Sequence, residues 1–278
     1  MNNGERIGNM ATGKYKEIFG IEKYVFDRLL RLLEITDAFQ RKSNAGRKSG
    51  LSVLDKLVIT LMYWREYRTY RHIAFDYGVG KSTIGEVVIW VENTIITSGL
   101  CNLKSARELR ENASKIKIVI VDVTEQEIER PKKGQQNWYS GKKKRHTIKT
   151  QVIINGEMAE IICIAQAMGK THDFKLFKDK FIGIDELIQI LADSGYQGII
   201  KIHANSKTPI KKRKNQELTE EEKAYNRELS RVRILIENVN RRIKRFKIMC
   251  DRYRNKRKRH GLRMTIICGL HNMDINAV

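Results

Sequence analysis

Residues 116–122 read IKIVIVD, and residues 190–198 read ILADSGYQG. Each is an apolar run that reaches an aspartate, Asp122 in the first and Asp193 in the second. From Ile118 to Val121 every residue is apolar, as in a central strand covered on both faces. After Asp193 the chain breaks into small residues, with Gly195 and Gly198 on either side of Tyr196. Two strands that end on carboxylates predict a sheet edge at which the two acids lie side by side.

Working outward, HTIKTQVIIN (146–155) and EMAEIICIAQ (157–166) are strand-like and meet at Asn155-Gly156, a hairpin signal. THDFKLFKDKF reads as a helix, LIQILAD as a further strand and KTPIKK as a short one. A long helix is predicted from roughly Thr219 to Met249. The order strand, hairpin, helix, strand, helices predicts an α/β (α+β) mixed sheet with helices against it. Residues 14–110 are helical in pattern instead, so two domains are expected, 1–110 and 111–278. In the first, Ser52 is placed to cap a helix with Asp55 three residues on. Residues 70–96 offer a short helix, a turn at Gly78–Gly80 and a second helix opening near Ser82. That is the layout of a helix-turn-helix, with Lys81, Ser82, Thr83 and Glu86 placed to meet DNA. The same pattern also suits an ordinary helical hairpin.

Charge favours the DNA reading. Lys and Arg number 54 against 32 Asp and Glu, a formal charge of +22, which draws a protein towards polyanions. From Arg241 to Arg263 there are 12 Lys or Arg against one acid, Asp251. Lys142, Lys143, Lys144 and Arg145 form a second cluster and KKRK at 211–214 a third. No basic cluster carries a lipid-facing aromatic stripe, and no apolar stretch approaches the roughly 20 residues of a bilayer span. The N-terminus lacks the apolar core of a secretory signal, so a cytoplasmic protein is expected. Met10 is an alternative start to Met1. Cys101, Cys163, Cys250 and Cys268 are scattered, as are the six histidines, which speaks against zinc. A metal here would take oxygen ligands.

The third acid comes from SRVRILIENVNRRIKRFK, residues 230–247. At 100° per residue, Val232, Leu235, Ile236, Val239, Ile243 and Phe246 form an apolar stripe. Ser230, Arg233, Glu237 and Lys244 share a narrow arc elsewhere. Hard divalent cations are held by one or two carboxylates each, with waters and phosphate oxygens. Two such ions about 3.5–4 Å apart support in-line displacement at phosphorus. Asp122, Asp193 and Glu237 can hold them, while Arg233 and Lys244 grip phosphates.

These motifs resemble the DDE transposases of bacterial insertion sequences, specifically the insertion-sequence-five type and its Harbinger-like relatives. VDVTE, LADSGYQG and Ser230-x2-Arg233-x3-Glu237-x6-Lys244 carry the likeness, the last being similar to the family's Tyr-Arg-Glu-Lys signature. YSGKKKRHTIK at 139–149, Thr171-His172-Asp173 and the helix-turn-helix at 70–96 look similar too, so the resemblance spans about 14–273. One departure is Ser230 in place of the leading tyrosine, although Tyr225 stands five residues earlier; no metal ligand is lost. The resemblance implies a ribonuclease-H-like catalytic domain in which Asp122, Asp193 and Glu237 ligate two Mg²⁺ or Mn²⁺ ions. It implies a transposase of the bacterial nucleoid that cuts its element's terminal inverted repeats and joins the 3′ hydroxyl to target DNA, working as a homodimer. A stand-alone nuclease and a domesticated, DNA-binding copy are the alternatives.

Blander readings accompany several residues. Aspartate is common in turns, Glu125, Glu127, Asp185 and Glu186 are nearby competitors, and Glu237 can pair with Arg233 along the helix. His172 and Asp173 suit a helix cap. Trp138 suits local packing as well as stacking on an unpaired base.

Overall fold

In the computed structural model, residues 7–43, 50–104, 110, 116–180, 183–212 and 217–276 are described. The chain forms two compact units: residues 1–102, 243–251 and 255–278 make the first, and residues 103–242 with 252–254 the second.

The first unit is helical: α1 Thr12–Phe19, α2 Lys23–Ser43, α3 Val53–Glu66, α4 Tyr70–Asp76 and α5 Lys81–Thr97. α3 opens as the sequence predicts. The Ser52 side chain accepts from the Asp55 amide while Asp55 answers to the Ser52 amide, a reciprocal capping box. α4 is capped by Thr69, and Gly78 (φ 62°) turns the chain before α5 starts under Gly80. Ile73, Ala74, Ile84 and Val88 bury the inner faces of the two helices. Glu92 of α5 is fully buried and binds the Nε of Arg263 at 2.6 Å, the Nε of Arg259 at 2.8 Å and Trp64 Nε1 at 3.2 Å.

The second unit is built on a mixed sheet. Its strands are β1 Ile118–Glu127, β2 Tyr139–Ser140, β3 Arg145–Asn155, β4 Ile161–Met168, β5 Gln189–Ala192 and β6 Ser206–Lys207. β3 lies antiparallel to both β1 and β4, while β5 runs parallel to β1 and β6 parallel to β5. The spatial order β4-β3-β1-β5-β6 is the ribonuclease-H-like arrangement. Helix α6 Asp173–Asp179 follows β4, and the long helix α7 Glu220–Lys244 follows β6. Helix α8 His260–Ile275 belongs to the first unit. Side chains alternate across a strand. Val119, Val121, Ile153 and Ile190 therefore share one buried face with Phe177 and Tyr196, while Ile120, Val152 and Ile154 are buried on the other.

Several sequence expectations are corrected. β1 does not end at Asp122 but continues to Glu127; what ends is its parallel pairing with β5, after Val121↔Ala192. The short strand expected in KTPIKK is displaced to Ser206–Lys207. The long helix stops at Lys244 and not near Met249, because Phe246 leaves the helical region and buries its ring, followed by one 3-10 turn at Lys247–Met249. Asn155-Gly156 does join β3 to β4, through a longer turn in which Asn155 Oδ1 accepts the amides of Glu157 and Met158. Gly156 serves close approach there, since a Cβ would stand 2.8 Å from Ile118 Cγ2.

Candidate active site

Register brings the two aspartates together. Val121 and Ala192 are the last partners of the β1–β5 pairing, so Asp122 and Asp193 are the next residues on adjacent parallel strands. Asp122 follows Val121 of the Phe177–Tyr196 face and so belongs to the opposite face of β1, while Asp193 stands just past the end of β5. Asp193 then caps a 3-10 turn, accepting the Gly195 amide on Oδ1 at 2.8 Å. Any Cβ at 195 would sit 2.9 Å from that oxygen, which accounts for a glycine here.

Asp122 is partly buried, and its surroundings are electrically mixed. Burial pushes its carboxyl up from the ordinary range; the Val123 amide and the Arg233 guanidinium oppose this, and Asp193 and Asp173 add to it. The Tyr196 phenol is likewise driven upward, by burial and then by Asp173, Asp122 and Asp193. Asp173, first residue of α6, pairs with Lys149 Nζ at 2.7 Å, the lysine side chain being 9 % exposed. His172 caps the same helix through Nδ1.

Helix α7 contributes a residue that sequence reasoning missed. Asn240 Nδ2 donates to Asp122 Oδ2 at 2.9 Å, and Asn240 is 8 % exposed. Arg233, Glu237, Asn240 and Lys244 fall within one arc of the helix at 100° per residue, which is the signal that points to Asn240. An amide between two charged signature residues carries no acid–base chemistry of its own, so it was passed over.

Not every expected residue joins the pair. Glu237 is exposed, and among the described residues no three His, Cys, Asp or Glu side chains gather in a group able to hold a metal. The side chain that meets Asp122 from α7 is Asn240, one turn beyond Glu237. Lys244, the last residue of α7, is exposed. Lys81 and Ser82 are exposed at the start of α5, with Thr83 partly so. Lys142, Lys143, Lys144 and Arg145 are exposed around the β2–β3 turn, and Arg145 pairs with Glu127 at 2.7 Å. Trp138 is partly buried, at the end of a one-turn helix.

Donor chemistry decides whether a divalent cation suits this place. The available groups are the two neighbouring carboxylates and Asn240 Oδ1, a buried neutral oxygen with no hydrogen-bond partner. All are hard oxygen donors, and one or two carboxylates are what Mg²⁺ commonly takes from a protein. The residues fit such an ion.

Comparison with known proteins agrees. The family described as "DDE superfamily endonuclease" matches residues 121–272, and "Helix-turn-helix of DDE superfamily endonuclease" matches residues 49–101. The chain belongs to the DDE superfamily endonucleases. It is 41% identical over 271 residues to the "Probable transposase for insertion sequence element IS702" of Microchaete diplosiphon, covering 98% of each chain. A second relative, from Streptomyces albus G and named provisionally as the transposase for insertion sequence element IS112, is 24% identical over 263 residues, 92% of this chain and 93% of its own. No solved structure matches. DDE endonucleases generally use divalent metal ions. No helix among the described residues is long and apolar enough to cross a membrane.

Proposed function

We propose that the chain is the transposase of an insertion sequence of the insertion-sequence-five, Harbinger-like type. It cleaves the ends of its element and joins the freed 3′ hydroxyl to target DNA. The observation that carries this reading is the register that sets Asp122 on β1 beside Asp193, the residue just past β5, with Asn240 of α7 donating to Asp122.

Asp122 and Asp193, joined by Glu237 of α7 once DNA and metal are bound, are the residues that would hold Mg²⁺ or Mn²⁺, two ions in the complete site. Bound there, the ions would polarise the scissile phosphate and lower the cost of generating an attacking oxygen. Arg233 positions the phosphate by its planar fork, and Lys244 adds a point charge beside it. One site serves both steps because only the nucleophile changes, from water to the 3′ hydroxyl. Lys81, Ser82 and Thr83 dock the helix-turn-helix on the terminal repeats, and Lys142 to Arg145 contact phosphates. Two ends must be joined in one event, which favours a homodimer acting at the nucleoid.

The test uses a plasmid carrying the gene with its native flanks, incubated with purified protein with and without Mg²⁺, beside Asp193→Asn. Metal-dependent cuts at the element ends that vanish in the variant are expected, together with joined products. Cuts without joining would make the protein a nuclease. End binding with no cutting under any metal would leave a DNA-binding role alone.

A further inference from the structure

Asn240 occupies a position that packing alone does not explain. Its neighbours Ile236, Val239 and Ile243 are buried apolar residues, yet a primary amide is buried among them. Nδ2 has a partner, Asp122 Oδ2 at 2.9 Å. Oδ1, on the same carbon, is buried with no hydrogen-bond partner. Buried acceptors without a donor are rare in folded proteins and call for a reason. The amide cannot remedy this by turning over, since an ionised carboxylate offers only acceptors and needs the N–H side.

We propose that Asn240 belongs to the cation site: Nδ2 holds Asp122 in place, and Oδ1 supplies a neutral oxygen to the coordination shell of a divalent ion bound at the aspartates. This rests on the reading of Asp122 and Asp193 as the cation-holding pair. Oxygen is the donor that hard cations select, and carboxamide oxygens are ordinary ligands for them. A neutral donor also suits the electrostatics. Asp193 and Asp173 already act unfavourably on ionised Asp122, so a further acid in contact would add repulsion whenever the ion is absent. The helix supports the assignment, because Asn240 lies three residues after Glu237 and seven after Arg233 on one arc. The signature would then read Arg233-x3-Glu237-x2-Asn240-x3-Lys244.

The experiment titrates Mn²⁺ alone into the full-length, metal-free protein by calorimetry, comparing wild type with Asn240→Leu, Asn240→Asp and Asp122→Asn. Binding of the element's end DNA in EDTA and the urea midpoint report folding. With the fold intact, Asn240→Leu should bind Mn²⁺ roughly 10-fold more weakly or worse, the range seen when a supporting group at a metal site is removed. Asn240→Asp keeps an oxygen but loses the donor to Asp122, so it should bind Mn²⁺ more tightly than Asn240→Leu. Asp122→Asn should lose most binding. A folded Asn240→Leu that binds within about twofold of wild type overturns the proposal. If the leucine variant does not fold, Asn240→Asp decides: retained Mn²⁺ binding supports a donor role, and binding as weak as that of Asp122→Asn contradicts it. Wild type that takes up no Mn²⁺ refutes the aspartate pair as the cation site, and the inference falls with it. Loss in Asp122→Asn without loss in Asn240→Leu sinks the inference alone.

Discussion

Replacing Glu92 with Gln should destabilise the helical unit far more than its single lost charge suggests. Glu92 is 0 % exposed and Arg263 2 %, and their contact is 2.6 Å. Arg259 makes the second ion pair at 2.8 Å but is 22 % exposed and also donates to Asn93. Removing one partner of a buried pair leaves the other charge without compensation, at about 3–5 kcal/mol. Gln keeps a carbonyl that Arg263 can reach, so the lower end, about 3 kcal/mol, is expected. Arg259 recovers its loss from water, whereas Arg263, held beneath the Tyr63 ring, does not. The double variant Glu92→Met with Arg263→Met removes both buried charges, and should cost less than Glu92→Gln alone. Urea unfolding followed by far-UV circular dichroism measures all three proteins. A loss under about 1 kcal/mol for Glu92→Gln, the scale of an exposed pair, would refute the reasoning. So would a double variant weaker than the single one.

Three further outcomes are expected. His260 is pulled down to about 4 from 6.5, by burial and then by Arg263. The native state therefore binds fewer protons than the unfolded one between those values, and stability present above pH 6.5 is lost on acidification. At 1.36 kcal/mol per pKa unit this reaches ~3 kcal/mol, and the pH dependence of urea unfolding in His260→Gln should lack that slope. Asp173→Asn removes a charge that holds Asp122 up, so the acidic limb of the cleavage profile should shift to lower pH; an unmoved limb would separate Asp173 from the site. Lys81→Ala should weaken end binding and reduce the salt slope of log K by about 1, as loss of one phosphate contact does, measured by fluorescence anisotropy from low to high salt.

Much of this was legible in the sequence because short-range physics wrote it there. The Ser52–Asp55 box, the glycine turn before α5 and the apolar run of β1 are local patterns, and each appears where its residues predict. Asp122 was read as a strand end because the apolar run stops there. The structure shows why that signal misleads: Val119 to Val121 pair with both β3 and β5, and beyond them, among the described residues, β1 pairs with β3 alone, so its side chains become more polar while the strand continues. The site divides in the same way. Two aspartates on strands could be paired by topology, and Arg233 by helical spacing. Helical spacing sets Asn240 on the same arc, but nothing local reveals its partner or that of Lys149, since neither an amide nor a lysine announces burial and the partners stand 118 and 24 residues away.

The buried network around Glu92 also constrains when the protein can become functional. Helix α5 carries the residues proposed to meet DNA, yet Glu92 is neutralised by Arg263, 171 positions later in the chain. Asp274 likewise accepts the Glu22 amide across 252 residues, and Asn255 binds Tyr63 across 192. A ribosome delivers residues in order, at roughly 5–20 per second. During synthesis the helix-turn-helix therefore emerges long before the side chains that complete its interior. A nascent or truncated chain would carry Glu92 of α5 without its buried partner, so a prematurely terminated product should not compete for the element's ends.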